Sequence, residues 1–537
     1  MITSLPHVLA ATTGLFASSL GLTQADPNFP LQVDSNAGPT IDLPTIDWTS
    51  TAPILTLVVG AFILLVASAL LRDRLPKPFM VVGTISTAVL AGLFTIPLWN
   101  RITDGTNAPT IAGALNVDGF GVIASLAICS AIVLAALNAD EFVRRERIAH
   151  PEFFVLMLLS GSGGLIMAAA NDFIVLFLGL EILSIALYVL AGSHVRKAES
   201  QEAALKYFVL GAFSSAIFLM GIAFTYGATG STNFTEIRNS VGDFIVFQND
   251  AFNIAAVVLL IVGLGFKVAA VPFHMWTPDV YQGAPTPATG FMAAAAKVAG
   301  FAGLIRVLVS ALGDRADDWR PVVWVLAVAS MAIGSVLAVQ QHDVKRMMAY
   351  SSISHAGFIL VGLEASGHNP LNPAGVSGAL FYLVAYTFIV LGSFTVISIV
   401  GGRGDANHSV DAYNGLGRRK PALALVFTLF LLAQAGVPAT SGFMAKFGVI
   451  SAAVDARSYA LAIIAMLSAV IAASFYLRIV MRMYTAEPVA GVSDGTGSSA
   501  LRIAPGAWLA LALAVIATLL GGIVPQVLLH FTDRGLF

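Results

Sequence analysis

The feature that most constrains this chain is a series of about fourteen apolar segments, each close to the length that a helix needs to cross a lipid bilayer. Such a crossing takes about 20 mostly apolar residues, and a helix satisfies its backbone hydrogen bonds internally. The segments lie at residues 51–71, 78–99, 116–137, 151–170, 172–192, 203–227, 252–280, 285–311, 321–340, 347–366, 375–400, 421–452, 458–484 and 504–526. This pattern predicts an all-α polytopic membrane protein with about 14 transmembrane helices.

Composition excludes several other classes of protein. Of 537 residues, 57% are hydrophobic and only 11% are charged, and with a formal net charge of −2 no basic cluster indicates nucleic-acid binding. Cys129 is the one cysteine, so an internal disulfide and a cysteine-ligated iron–sulfur cluster are excluded. The nine histidines lack a metal-ligand spacing, and the Gly161–Gly164 run lies in an apolar segment, where small residues permit close helix packing. We expect no metal and no cofactor in this chain.

The distribution of basic residues predicts the orientation. Most of the 28 lysine and arginine residues fall in alternate connections, as in the clusters 144–147 and 418–420. Because basic residues mark cytoplasmic loops, both termini are predicted to lie outside. Residues 1–50 contain no lysine or arginine but several aspartates and prolines, which predicts an extracytoplasmic extension. A fifteenth span at residues 8–22 is the alternative.

Two segments are too long for one simple crossing. Ala251 to Gly283 and Pro421 to Asp455 both exceed the roughly 20 residues that a crossing needs. Each contains a Val-Pro pair, Val271-Pro272 or Val437-Pro438, and proline breaks the helical hydrogen-bond ladder. We therefore predict two broken helices.

The broken helices are the seventh and twelfth segments, so they are five apart and cross the membrane in opposite senses. The sixth and eleventh segments also share an Ala-Leu-x-Tyr sequence, at 204–207 and 379–382. This predicts two inverted five-helix repeats with an ion or substrate path near the midplane, and chance similarity between apolar sequences is the alternative. The predicted organisation is 1–50 for the extension, 51–150 for three N-terminal transmembrane helices, 151–312 for the first repeat, 313–485 for the second, inverted repeat and 486–537 for a C-terminal transmembrane helix.

Four ionisable residues lie well inside the apolar segments: Glu181, Lys267, Lys297 and Lys446. Each costs roughly 2.5–3.5 kcal/mol to insert into a membrane, and packing alone gives no reason for them. Burial favours a neutral lysine and a nearby carboxylate favours a charged one, so a lysine that is subject to both can exchange a proton. Glu181 is the only acidic residue near a span centre. We predict a proton relay of these four residues.

Three more residues are secondary candidates for the relay: Lys206, His274 and His355. Lys206 lies on a neighbouring segment, and His274 follows Lys267 by seven residues, on the same helical face if the helix resumes quickly. His355 ends a polar run that begins at Ser351 and is suited to holding water. The alternatives are a purely structural ion pair, lysines that extend to the lipid headgroups and histidines packed in the core. We predict a structural role for Arg306.

The sequence around these residues resembles the antiporter-like subunits of respiratory complex I. The most specific stretch is 263–287, GLGFKVAAVPFHMWTPDVYQGAPTP, and its YQGAP form is similar to the subunit N branch of bacterial NADH-quinone oxidoreductases. Stretches 178–181, 345–355 and 436–447 support the resemblance, which covers roughly residues 51–530. The aspartate-rich extension has no counterpart in the pattern.

The resemblance implies roles for the charged residues. In that family the positions of Glu181 and Lys267 form the input pair of a half-channel, and that of Lys297 links it to the central axis. The position of Lys446 is the outer connecting residue, a lysine in subunit N and a glutamate in subunit M. The implied function is proton translocation by a membrane-arm subunit, coupled to quinone reduction elsewhere in the enzyme.

The resemblance also implies partners and a location. Flavin, iron–sulfur clusters and quinone are expected in partner subunits, and the neighbours are expected to be subunit M, small subunits such as K and J, and membrane lipid. The location implied is the bacterial plasma membrane. The alternatives are a subunit of a multi-subunit cation/proton antiporter or of a membrane-bound hydrogenase, a stand-alone solute transporter, and a structural subunit with an inactive channel.

Overall fold

The computed structural model of this chain describes residues 46–71, 74–76, 78–105, 110–148, 150–242, 250–369, 374–487, 503–533 and 536. Nearly all of the predicted extension, residues 1–50, and the alternative span at 8–22 lie outside the described residues. Within these ranges the backbone forms helices joined by loops, with isolated bridges but no strand. The all-α prediction is confirmed.

The helices follow one another along the chain and are joined by loops of different lengths. They are α1 (Trp48–Leu70), α2 (Phe79–Leu93), α3 (Thr95–Thr103), α4 (Gly119–Arg145), α5 (His150–Ala169), α6 (Phe173–Ala191), α7 (Ala198–Thr229), α8 (Phe234–Gly242), α9 (Asp250–Val268), α10 (Trp276–Gly283), α11 (Thr286–Ala311), α12 (Ala316–Val339), α13 (Val344–Ser366), α14 (Ala374–Gly401), α15 (Leu416–Arg419), α16 (Pro421–Ala435), α17 (Ser441–Asp455), α18 (Tyr459–Thr485), α19 (Pro505–Ile523) and α20 (Pro525–Thr532). Two stretches of α11, Met292–Ala296 and Arg306–Ala311, are π-helical.

Eleven helices in the described residues are long and apolar enough to cross a membrane. Each predicted segment contains a helix, but those at 252–280 and 421–452 are divided into shorter pieces. Helix α13 is not among the eleven, and it carries polar residues such as Lys345, Arg346 and His355. The membrane class is confirmed, whereas the count of about 14 crossings and the repeat boundaries stay predictions.

Aspartate side chains determine where several helices begin. Asp118, Asp172 and Asp343 accept hydrogen bonds from first-turn N–H groups of α4, α6 and α13, at 2.8, 2.7 and 2.9 Å. The first turn of a helix has N–H groups without an intrahelical partner, and a carboxylate at the N-cap binds one of them. These three aspartates therefore mark the starts of their helices.

The two broken helices predicted from the sequence are confirmed. Residues 269–275 separate α9 from α10, and residues 436–440 separate α16 from α17. Besides the proline, each interruption contains an alanine with left-handed backbone, Ala269 (φ 61°) or Ala439 (φ 67°). That conformation costs roughly 1–2 kcal/mol for an L-residue, so the surrounding packing must hold it.

The chain itself satisfies backbone groups that the first interruption frees. The Val271 N–H donates to Ser330 Oγ at 2.9 Å, and the Phe266 carbonyl accepts a hydrogen bond from Trp276 Nε1 at 3.0 Å. Non-helical backbone persists at membrane depth only where protein or water provides such partners. The break is thus built into the packed interior.

The Gly161–Gly164 run brings α5 and α6 into close contact. A Cβ atom at Gly163 would lie 2.5 Å from the Leu183 nitrogen and 2.6 Å from the Gly179 carbonyl oxygen. No side chain fits at that distance, so only glycine allows the two backbones to approach this closely. The packing role predicted for the run is confirmed.

Arg306 on α11 forms a buried, two-pronged ion pair with Asp118 at the start of α4. Its Nη1 and Nη2 atoms each donate to one carboxylate oxygen at 2.8 Å, and its Nε donates to the Ala168 carbonyl at 2.6 Å. Both charged side chains are only 1% exposed. The pair joins the N-terminal helices to α11, in keeping with the structural role predicted for Arg306.

We expect Arg306→Met to destabilise the fold by about 3–5 kcal/mol, because it leaves Asp118 as an unpaired buried carboxylate. The double variant Asp118→Ser, Arg306→Met retains a capping side chain, removes both charges and should recover most of the stability. The midpoint of thermal aggregation, followed by size-exclusion chromatography of the heated protein in detergent, measures both effects. A double variant no more stable than Arg306→Met would contradict this account.

Candidate functional site

The three candidate lysines of the relay are buried inside the helix bundle. The exposed fractions of Lys267, Lys297 and Lys446 are 6%, 4% and 6%. A lysine that extends along the outside of a helix to the lipid headgroups would be far more exposed. All three ammonium groups therefore need partners inside the protein.

Lys267 lies in the last turn of α9, just before the first interruption. Its Nζ donates to Ser184 Oγ on α6 at 2.8 Å and lies 3.4 Å from the Tyr207 hydroxyl on α7. Its aliphatic stem packs against Gly300, where a Cβ atom would lie 3.2 Å from Lys267 Cγ. The ammonium group is thus held by hydroxyl groups of two neighbouring helices.

Glu181 lies on α6 one turn before Ser184, and its side chain is half-buried. It accepts a hydrogen bond from Ser215 on α7. In the part of the chain that the structure describes, Glu181 makes no ion pair with Lys267, because the ammonium group is bound to Ser184 instead. Glu181 and Lys267, the predicted pair, therefore both lie at this part of α6 but do not contact each other directly.

Lys297 follows the first π-helical stretch of α11, at the centre of the bundle. Its Nζ donates to the Ser352 carbonyl on α13 at 2.6 Å and lies 5.5 Å from the centre of the Tyr386 ring. Lys297 precedes Gly300, the residue that contacts Lys267, by one turn. A π-helical stretch is uncommon and frequently marks a functional position.

A network of hydroxyl and imidazole groups continues from Lys297 along α13. His355 Nδ1 lies 2.7 Å from the Tyr382 hydroxyl, and its Nε2 lies 3.1 Å from the Tyr476 hydroxyl. The Tyr476 hydroxyl is also hydrogen-bonded to Ser351 and lies 3.4 Å from Gln434 Oε1. These groups both donate and accept hydrogen bonds, which proton transfer requires.

Lys446 completes the line on α17, beyond the second interruption. Its Nζ donates to the carbonyls of Gln434 and Ala435 at 2.9 Å each, and it lies 4.9 Å from the centre of the Phe358 ring. Those carbonyls end α16 and carry the negative end of its dipole. Lys446 therefore binds the helix end that the break creates.

Two secondary candidates lie away from this line. Lys206 is ion-paired with Glu202 and Asp279 at 2.7 Å each, and its side chain is 42% exposed. His274 lies within the first interruption, because the helix resumes only at Trp276, so it does not share a helical face with Lys267. His355 is the secondary candidate that lies on the line.

The site also contains four residues that were not predicted from the sequence: Tyr207, Tyr382, Tyr476 and Gln434. The Ala-Leu-x-Tyr sequences at 204–207 and 379–382 were an available signal, since their tyrosines contact Lys267 and His355. Gln434 precedes the second Val-Pro pair and was a weaker signal. In the described ranges, no three His, Cys, Asp or Glu side chains are grouped so that they could hold a metal ion.

Comparison with known proteins agrees with this architecture. The family described as "NADH:quinone oxidoreductase/Mrp antiporter, TM" matches residues 170–472. NADH-quinone oxidoreductase subunit N of Trichlorobacter lovleyi is 39% identical over 490 residues, which cover 91% of this chain and 97% of the relative. Subunit N 3 of Streptomyces griseus is 38% identical over 566 residues and covers 98% of both chains.

Solved structures resemble this fold along nearly its whole length. A chain of respiratory complex I from Thermus thermophilus with bound aureothin has a TM-score of 0.74 and 30% identity, and the match covers 90% of this chain and 100% of that chain. A chain of the Mrp complex from Dietzia sp. has a TM-score of 0.76 at 22% identity, covering 91% and 97%, and indicates the fold alone. Because the relatives match most of both chains at well over 30% identity, this chain belongs to the NADH-quinone oxidoreductase subunit N family of antiporter-like membrane proteins.

Proposed function

We propose that this chain is a membrane-arm subunit of NADH-quinone oxidoreductase that translocates protons through Lys267, Lys297, His355 and Lys446, with Glu181 at the start. Quinone reduction elsewhere in the complex supplies the energy. The chain is part of that enzyme, a translocase, while flavin, iron–sulfur clusters and quinone belong to partner subunits. The membership of the subunit N family supports the proposal.

The observation that carries the proposal is the kind of partner that each relay lysine has. In the described residues, Lys267 is bound by hydroxyl groups, and Lys297 and Lys446 are bound by backbone carbonyls. A lysine with neutral partners can lose its proton without leaving a buried carboxylate unpaired. By contrast, the buried cations Arg306 and Lys345 each contact a carboxylate, Asp118 and Asp405.

Movement of Glu181 relative to Lys267 starts the transfer. A carboxylate that approaches Lys267 favours its charged form, and burial favours the neutral form once the carboxylate has moved away. The released proton passes to Lys297 on the adjacent helix. The proton then moves toward Lys446 through Ser351, Tyr476 and His355. Beyond Lys446, the outward half of α17 leads away from the midplane.

We place the chain in the bacterial plasma membrane with both termini outside. Its neighbours are subunit M, small subunits such as K and J, and lipid. Large apolar side chains on the outer faces of α6 and α7, such as Leu178 (53% exposed) and Phe213 (68% exposed), support contact with other membrane components. The half-buried carboxylate of Glu181 on the same face supports a protein neighbour there, because lipid cannot solvate a charge.

Replacing Lys267 with Met should reduce NADH-driven proton pumping to about a tenth or less, because the side chain keeps its apolar stem but can no longer carry a proton. Assembly should stay normal, since removing a buried charge with neutral partners leaves no charge unpaired. Pumping in inverted membrane vesicles, normalised to the assembled complex, is the measurement. Lys420→Met, the same change at the partly exposed start of α16, is the control, and wild-type pumping in Lys267→Met refutes the relay.

Tyr476→Phe should slow pumping severalfold, because it removes the one hydroxyl that joins Ser351, His355 and Gln434. Tyr484→Phe on the same helix is the matched control, since its hydroxyl contacts only Thr428 among the described residues and its side chain is 42% exposed. The same vesicle assay compares the two variants. Equal pumping in both would exclude Tyr476 from the relay.

The rival functions differ in the proteins that accompany the chain. We expect an affinity-tagged chain, purified in mild detergent, to carry flavin- and iron–sulfur-bearing subunits with NADH-quinone oxidoreductase activity. Purification with other antiporter subunits and no redox centre would instead favour a cation/proton antiporter, whose Mrp relative shares the fold. Absorption spectra and protein identification of the purified material measure this.

A further inference from the structure

A polar cavity of about 490 Å³ opens on the face that the distribution of basic residues predicts to be cytoplasmic. We call it the vestibule. The start of α7, the helix α10 and the connection between α14 and α15 form its walls. Six of its charged lining residues are Lys197, Glu199, Glu202, Lys206, Asp279 and Asp343. None of the relay residues lines it.

Two more lining residues, His408 and Asp405, are deeply buried in the vestibule wall. His408 Nε2 lies 3.2 Å from Asp405 Oδ1, and the two side chains are only 8% and 3% exposed. Asp405 is well satisfied, since it accepts hydrogen bonds from the N–H (3.2 Å) and hydroxyl (2.7 Å) of Thr286 and from Lys345 (3.3 Å). Among the described residues, neither ring nitrogen of His408 has a well-aligned hydrogen-bond partner, and Nε2 has only its contact with Asp405.

The backbone holds His408 in this position. The Val344 N–H donates to the His408 carbonyl at 2.7 Å, and the Val410 N–H donates to the His342 carbonyl at 2.9 Å. These bonds fix the loop to the start of α13 without using the imidazole. A buried ring whose nitrogens make no well-aligned hydrogen bond is costly and needs an explanation, and this ring lines a cavity wide enough for water.

The buried end of the vestibule is also close to the relay. Lys345 donates to the Ala284 carbonyl at 2.6 Å, and Asp405 binds Thr286, so both hold the junction between α10 and α11. Lys345 and Ser352 share one face of α13, seven residues or about 10 Å apart, and the Ser352 carbonyl binds Lys297. The buried end of the vestibule is thus about 10 Å along α13 from the carbonyl that binds Lys297.

From this geometry we infer that the vestibule is a proton-uptake site and that His408 is the residue in it that accepts protons from the cytoplasmic side. This inference rests on the proposed function and adds to it the site at which protons enter from the cytoplasmic side. Histidine is the side chain best suited to exchange protons near neutral pH. A hydronium ion or protonated buffer molecule in the vestibule transfers its proton to a free ring nitrogen, and Asp405 stabilises the imidazolium. The ring then releases the proton toward Lys297.

Asp405 is the fixed counter-charge of this pair. Burial alone would raise the pKa of Asp405, but the positive charge of Lys345 and the contacts with His408 hold that pKa well below its ordinary value. The carboxylate of Asp405 therefore stays charged beside the ring. This division of roles resembles other pairs in which a fixed carboxylate stabilises an imidazolium.

Charged groups of both signs face His408 from the neighbouring elements. Lys345 on α13 is positive, and Lys197 before α7 donates to the carbonyls of Gly404 and Asp405 at 3.3 and 2.9 Å. Glu146, after α4, accepts hydrogen bonds from the Gly404 N–H. On the vestibule side Asp343 adds negative charge. Glu146 is itself paired with Arg145 at 2.8 Å, so the charges around the loop are nearly balanced, and Asp405 is the carboxylate that contacts the ring.

Replacement of His408 with Ala, tested in inverted vesicles, should slow NADH-driven generation of membrane potential about tenfold, and imidazole added outside should restore it in proportion to its concentration. In such vesicles the cytoplasmic face points outward, so added imidazole reaches the vestibule directly. Membrane potential is the readout, because imidazole is a weak base and dissipates a pH difference. The control is His342→Ala, which replaces an exposed histidine beside the same loop. This variant should generate membrane potential at the normal rate, and imidazole should not change that rate.

His408→Gln, which keeps the size and polarity of the side chain, should assemble and be as slow as the alanine variant. Rescue by imidazole would support proton transfer, since a structural defect does not respond to a proton-carrying buffer. Normal rates in either variant, a loss that imidazole does not restore, or failure of both variants to assemble would overturn the inference. If Lys267→Met stops pumping while the His408 variants pump normally, only the uptake site is rejected and the relay stands.

Discussion

The structure of this helix bundle depends on how it accommodates ammonium groups that are buried away from water. A buried lysine requires partners, and the choice of partner decides what it can do. Where the partner is a carboxylate, as for Arg306 with Asp118, the charge is fixed and joins helices. Where the partners are hydroxyl or carbonyl oxygens, as for Lys267 and Lys446, the amine can exist in two protonation states. The same bundle thus contains buried charges paired with carboxylates and, in the proposed relay, lysines that exchange protons.

The broken helices follow from the same requirement. An intact helix uses its carbonyls internally, so a lysine can only share one of them, as Lys297 shares that of Ser352. Ending α16 at Ala435 exposes its last carbonyls inside the bundle, and Lys446 binds them from α17, the other half of the same broken helix. On α9 the lysine precedes the break instead, and hydroxyl groups from α6 and α7 bind it. Two breaks in similar sequence contexts therefore provide two different kinds of site.

The sequence predicts those parts of this structure that depend on position along one helix. Apolar length, Val-Pro pairs and the positions of charged residues predicted the helices, the interruptions at 269–275 and 436–440, and the burial of the lysines. It does not predict which faces of separate helices meet, so the separation of Glu181 from Lys267 by Ser184 could not be foreseen. Tyr476 and Gln434 were missed for the same reason, because polar residues are ordinary in long helices until their neighbours are known.

Helix α10 connects the vestibule with the relay, although it has only two turns. Asp279 on its vestibule side binds Lys206 of α7 and Arg346 of α13, at 2.7 Å each. Tyr281, two residues later, reaches the Ser352 hydroxyl at 3.4 Å, beside the carbonyl that holds Lys297. Because one short element carries both contacts, a shift of α10 against α13 changes the vestibule wall and the surroundings of Lys297 together. In the proposed mechanism, proton uptake and transfer along the relay are then linked by geometry, without a separate signal between them.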